Sequence, residues 1–90
     1  MEIEYHEDKR LQTLRERGLD FARAHEIFDS DSVDVPDERF NYGEQRWLTF
    51  GLLDGLHVAV VWTIREDRRR VISMRHMHER EIKIRRGSMD

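Results

Sequence analysis

Ninety residues suffice for one domain, because a chain this short buries only about 60 to 65% of the surface it exposes when unfolded and has no room for a second core. The absence of cysteine excludes a disulfide framework, a thiolate metal site and a cysteine nucleophile, and makes a reducing compartment the natural home. The net charge of −3 conceals a division: residues 1–56 hold 7 basic and 14 acidic side chains, residues 57–90 hold 9 basic and 5 acidic, so the second part is the one that offers a surface to a polyanion.

The first ten residues lack the basic start and apolar run of a secretion signal. No stretch nears the roughly 20 apolar residues that span a bilayer. A cytoplasmic protein with no membrane partner is the expectation. Glu2-Ile3-Glu4-Tyr5 alternates at the strand period and predicts a short first strand with Ile3 and Tyr5 inward. From Glu7 to Arg17 the charges are dense, Leu11 and Leu14 mark a narrow apolar stripe, and Gly18 stands where a helix C-cap belongs. Asp20 suits the N-cap of a second helix, in which Phe21, Ala24, Ile27 and Phe28 recur at helical spacing up to Asp29. These two helices are expected to pair.

Ser30 to Gly43 holds the single proline and several acids, which reads as a loop with an extended piece around Val33 and Val35. Two extended runs follow, Arg46 to Leu53 and Leu56 to Arg65, joined by Asp54-Gly55, a dipeptide favoured in type I′ hairpins. A polar turn over Glu66 to Arg69 leads to a strand from Arg70 to Arg75, and the charged segment His78 to Arg86 predicts a final helix. The order predicts a single α+β domain over residues 1–90, with a compact antiparallel sheet, a helical pair near the N-terminus and a C-terminal helix.

Strand parity organises the chemistry. Thr63 and Arg65 share one face of their strand, and Val71, Ser73 and Arg75 share one face of the next. If the turn keeps even register, Thr63, Arg65, Ser73 and Arg75 point to the same side of the sheet, where forked guanidinium donors and hydroxyls suit a phosphodiester. The alternative is that Arg65 and Arg75 end their strands in solvent or pair with Glu66, Asp67 or Glu79. His76 and His78 stand close to Arg75 in sequence, where an imidazole is a candidate proton donor or acceptor. Their spacing, with no carboxylate or cysteine in a metal pattern, implies neither a metal site nor any cofactor. Lys9, at the start of the first helix, leans toward the sheet edge or into solvent. Trp62 reads as a core residue, and Trp47 equally as core or as a stacking platform for a base.

The chain resembles the BrnT family of toxin ribonucleases along nearly its whole length. The residues that carry the resemblance are Lys9 in the first helix, Arg17-Gly18-Leu19-Asp20-Phe21, Ala24, and Ile27-Phe28-Asp29. Further on come Glu44-Gln45-Arg46, Gly51, the Thr-x-Arg pattern of Thr63 and Arg65, Val71-Ile72-Ser73-Met74-Arg75, and Glu81 six residues later. It departs from the family pattern at Thr13, at Glu16-Arg17 and at Arg75-His76. The resemblance implies a RelE-like fold in a type II toxin that cleaves RNA. It further implies that a BrnA-type DNA-binding antitoxin neutralises the toxin, and that operator DNA is met only through that partner. By the same resemblance, Lys9, Arg46, Thr63, Arg65, Ser73, Arg75 and Glu81 occupy family motif positions.

The expected reaction is metal-independent attack of the ribose 2′-hydroxyl on the adjacent phosphate. Arg65 and Arg75 would neutralise charge, Ser73 and Thr63 orient the strand, and Lys9, Glu81, His76 or His78 exchange protons. Two rivals stand beside this. One is a partner-binding module that co-represses its operon with weak or no catalysis, motivated by the departure at His76. The other is a plain nucleic-acid-binding domain using residues 65–86 as a basic strip, which Glu66, Asp67, Glu79 and Glu81 dilute.

Overall fold

In the computed structural model, which describes residues 1–89, the first helix α1 (Glu7–Arg17) stops at Gly18, whose φ of 69° is left-handed and whose N–H donates to the Leu14 carbonyl. Ahead of it, Ile3 and Tyr5 flank the alternation of a two-residue strand β1 (Ile3–Glu4) and pack on the core. Asp20 accepts from the Ala22 N–H at 2.9 Å and caps a 3-10 turn (Phe21–Arg23) that continues into α2 (Ala24–Asp29). Phe21, Ala24 and Ile27 are fully buried. The apolar stripe of α1 is not: Leu11 and Leu14 are 43% and 39% exposed, and the buried residue of that helix is Thr13.

Segment 30–43 contains more order than an extended piece within a loop. Val33–Pro36 form β2, which pairs antiparallel with β3 (Trp47–Leu53) from Val33 beside Phe50 to Pro36 beside Trp47. β2 lies at the sheet edge, where a proline without an N–H is tolerated. Asp54 and Gly55, at φ 52° and 79°, make the expected two-residue turn into β4 (Leu56–Arg65). The next turn is equally tight. Glu66 and Asp67 take φ 52° and 65°, so β5 runs from Arg68 to His76 where the sequence pointed to a four-residue turn. Neither residue is glycine, so the usual marker of such a turn is missing.

The strands lie in the order β1-β5-β4-β3-β2. All neighbours are antiparallel except β1, which joins β5 parallel with Ile3 beside Arg69 and Glu4 beside Arg70. The expected compact α+β arrangement is present, and its antiparallel sheet is made mixed by this one edge strand. β1 reaches the far edge of the meander through no hairpin, so no tight turn dictates its direction.

Two apolar layers sandwich the sheet. On one face Val58, Val60, Trp62, Val71 and Met74 meet Leu19, Phe21, Ala24 and Ile27 of the segment that holds the 3-10 turn and α2. On the other, Leu48, Phe50, Ala59 and Val61 are covered by Met77 and by Ile82 of α3 (Glu79–Met89). Arg85, itself buried, donates from Nη2 to the Asp31 carbonyl at 2.6 Å and pins α3 to the end of α2. Among the described residues no helix is long and apolar enough to cross a membrane.

Candidate active site

The geometry of the candidate site turns on one extra residue in β5. The two-residue hairpin sets Arg65 opposite Arg68, Ile64 opposite Arg69 and Thr63 opposite Arg70. Continued unbroken, that register is odd and would send Ser73 and Arg75 to the face of Trp62. A shift between Val61 and Trp62 intervenes: Trp62 pairs with Val71, but Val61 pairs with Ser73 and Ala59 with Arg75, leaving Ile72 as a bulge. Ser73 and Arg75 thereby return to the face of Thr63 and Arg65. The expected common face exists, through the bulge rather than through the turn. The same bulge overturns the expectation for Val71, which joins Met74 in the opposite core layer.

Sharing a face does not bring the arginines together. Arg65 and Arg75 lie opposite Arg68 and Ala59, and the strand from Ala59 to Arg65 spans about 20 Å. Several nucleotides bridge that distance; one phosphate does not. The expected single clamp is thus two groups. What joins them is a row that the sequence reading missed, Arg68 and Arg70, on the same face between Arg65 and Ser73. Both fell outside the expected set because the predicted turn absorbed Arg68 and the bulge inverted the parity of Arg70.

At the α3 end, Arg75 and Glu81 form a two-pronged pair, Nη1 to Oε1 and Nη2 to Oε2, each 2.7 Å. Glu81 Oε1 also accepts the backbone N–H of His78 at 2.9 Å, the reciprocal half of a capping box with His78 at the cap. The Arg75 guanidinium, aided by that N–H, holds the Glu81 carboxyl at about 2 against the opposing effect of burial. A group so acidic is a poor proton carrier near neutrality, so Glu81 serves to position Arg75. His78 is exposed at the helix start. His76 lies opposite Val58, on the other face from Arg75, with Nε2 3.3 Å from the Arg17 carbonyl.

The outer edge of β5 beyond β1 is covered by α1. Lys9 Nζ donates to the Ile72 carbonyl at 2.9 Å and Arg17 Nη1 to the Met74 carbonyl at 2.7 Å. Lys9 does lean over the sheet edge, next to Ser73. The two cations blunt an edge that would otherwise offer free carbonyls to another strand.

At the hairpin end, Thr63 is buried and donates its hydroxyl to the Gln45 carbonyl at 2.6 Å. It fastens the 43–46 segment in place of the expected hydrogen bond to substrate. Arg46 stacks over the Tyr42 ring at 4.0 Å and donates from Nε to Glu44 at 2.9 Å, while Arg65 approaches the same carboxylate at 3.6 Å. The segment is further ordered by Asp37, a buried carboxylate that accepts from Arg39 and Tyr42 and is held below its usual range chiefly by Arg39. Glu44, Gln45, Trp47, Thr63 and Ile64 line a cleft of about 340 Å³ beside this cluster. Trp62 is core, as expected, and Trp47 is half-buried against it at 6.2 Å between ring centroids.

Among the described residues no three or more His, Cys, Asp or Glu side chains gather as a metal-ligand group. The resulting surface is an arginine-lined sheet face, with carboxylate partners at Arg65, Arg68, Arg70 and Arg75 and a lysine at its rim. Such a surface can hold a single-stranded polyanion along β5. A search of the curated proteins found no match. A family model described as "Ribonuclease toxin, BrnT, of type II toxin-antitoxin system" matches residues 5–81.

Proposed function

Because the chain belongs to the BrnT family of ribonuclease toxins of type II toxin-antitoxin systems, we propose that it cleaves RNA without a metal ion on the arginine-lined face of β5, in the cytoplasm, and that a BrnA-type antitoxin neutralises it. The observation that carries the placement is the Ile72 bulge, which turns Ser73 and Arg75 onto the face already bearing Arg65, Arg68 and Arg70. A ribose 2′-hydroxyl attacks the neighbouring phosphorus, the bond to the 5′-oxygen breaks, and a cyclic phosphate and a 5′-hydroxyl result. Arg75, oriented by Glu81, meets the charge growing on the phosphate oxygens, with Ser73 and Lys9 beside it. Arg65, Arg68, Arg70 and Arg46 guide the flanking strand. The proton is left to His78 or Lys9, since His76 faces away.

Purified protein incubated with total RNA in excess chelator tests this. Wild type should cut; Arg75→Ala should cut about 100- to 1,000-fold more slowly, the usual cost of a lost transition-state donor. Arg65→Ala should weaken binding with a smaller effect on the chemical step. Cleavage abolished by chelation, or unaffected by Arg75→Ala, would overturn the mechanism.

A second reading has its own observation: the arginines at 65, 68, 70 and 75 each lie within ion-pair distance of a glutamate, which lowers the net field offered to phosphate. A protein whose task is to bind its antitoxin and help repress the operon would tolerate that neutralisation. Normal growth on strong expression without the antitoxin, by a well-folded protein, would select this reading.

A further inference from the structure

From the cleft at the hairpin end we infer that this protein holds a single unpaired guanine base there, stacked on Trp47 and read by Glu44 and Gln45. The inference rests on the ribonucleolytic reading for its biological meaning and on the cleft alone for its chemistry.

The cleft, about 340 Å³ and lined by Glu44, Gln45, Trp47, Thr63 and Ile64, lies at the small end of the roughly 300 to 1,000 Å³ range of ligand sites, a size for one base rather than a strand. Its aromatic wall is fixed. Trp47 stacks on Trp62 with 24° between planes, and Trp62 is anchored by its indole N–H to Thr49 Oγ1 at 2.7 Å and by edge contact with Phe28. A half-buried indole held this way is a ready platform, and splayed-out bases of single-stranded RNA are held on such rings and by their Watson–Crick edges.

The polar groups choose the base. The Thr63 hydroxyl donates its hydrogen bond to the Gln45 carbonyl, and the Gln45 amide nitrogen donates to the Arg46 carbonyl at 2.9 Å. What remains for a ligand is the Gln45 amide oxygen, the second Gln45 amide N–H and the Glu44 carboxylate, whose oxygens have lone pairs beyond those directed at Arg46 and Arg65. A site in which acceptors outnumber donors favours a donor-rich edge. Guanine presents two adjacent donors, N1–H and the N2 amino group, whereas adenine and cytosine present one amino group beside an acceptor and uracil one N–H between two carbonyls. The guanine O6 then finds a cation in Arg46 or Arg65. Trp47 and Ile64 put the aromatic wall of the cleft on the Trp62 side of the sheet, opposite the face of Arg68, Arg70, Ser73 and Arg75, so the base site is separate from that row.

The test separates binding from cleavage. 2′-O-methylated trinucleotides, with a central guanine, adenine, cytosine or uracil between uridines, lack the attacking hydroxyl and are titrated against the full chain while tryptophan fluorescence is followed. The guanine trinucleotide should bind at least tenfold more tightly than the other three. Glu44→Gln, which replaces one acceptor oxygen by a donor, should remove that preference, leave the other affinities within about twofold, and retain the wild-type melting temperature within a few degrees. Trp47→Leu should weaken all four. Equal binding of the four trinucleotides, or a guanine preference that survives Glu44→Gln, overturns the pocket. Failure of the ribonuclease reading would look different: guanine preference in binding, with no cleavage of unmodified RNA.

Discussion

Arg75 on β5 and Glu81 on α3 are joined by two parallel hydrogen bonds of 2.7 Å, with side chains 20% and 13% exposed. The pair couples the last strand to the helix covering that face, and it sets the electrostatics of the candidate active site. The folded-state carboxyl, at about 2, lies below its ordinary value of 4.5. Its stabilising contribution is therefore complete above about pH 4.5 and is lost as pH falls through 2.

Glu81→Gln should remove that contribution, on the order of 2 to 3 kcal/mol at neutral pH. Other carboxylates share the acid sensitivity, so the informative quantity is the difference between wild type and variant in urea unfolding. The gap should close as pH falls from 5 to 2; a constant gap would count against the pair as its origin.

Facing decides a second outcome. His76 lies on the opposite side of β5 from Ser73 and Arg75, near the carboxyl end of α1. His76→Ala should leave the rate of RNA cleavage within about twofold of wild type, whereas Ser73→Ala, across the bulge, should lower it by about tenfold or more. A large loss in the His76 variant would place the reacting phosphate on the α1 side.

Gly51 supplies a test of the fold independent of activity. A Cβ there would lie 2.7 Å from Ser30 Oγ, 2.8 Å from Ile27 Cγ2 and 2.9 Å from the Ile27 carbonyl. The Ser30 hydroxyl is already engaged, donating to the Ile27 carbonyl and accepting from the Leu52 N–H. Gly51→Ala should cost about 1 to 3 kcal/mol, as overpacking does elsewhere, visible as a lower melting temperature; an unchanged melt would mean that α2 can move off the sheet.

Local chemistry was legible in the chain itself. Gly18 and Asp20 mark the helix boundaries, Asp54-Gly55 marks the first hairpin, and alternation along β4 sorts its residues between faces, because each of these depends on a residue and its near neighbours. The resemblance to the BrnT family was legible for the same reason, since short motifs survive in order and spacing. The tertiary structure decided the rest. Whether Val71 or Arg70 shares the face of Ser73 depends on a bulge at Ile72, which arises only when β4 and β5 pair and one residue can change the facing of every later one. That β1 runs parallel to β5, that α3 closes over Val61 and lends Glu81 to Arg75, and that Arg65 and Arg75 stand about 20 Å apart all depend on contacts between distant segments. Periodicity within one segment carries no record of its partner's register, so the residues of the site could be named from sequence while their arrangement could not.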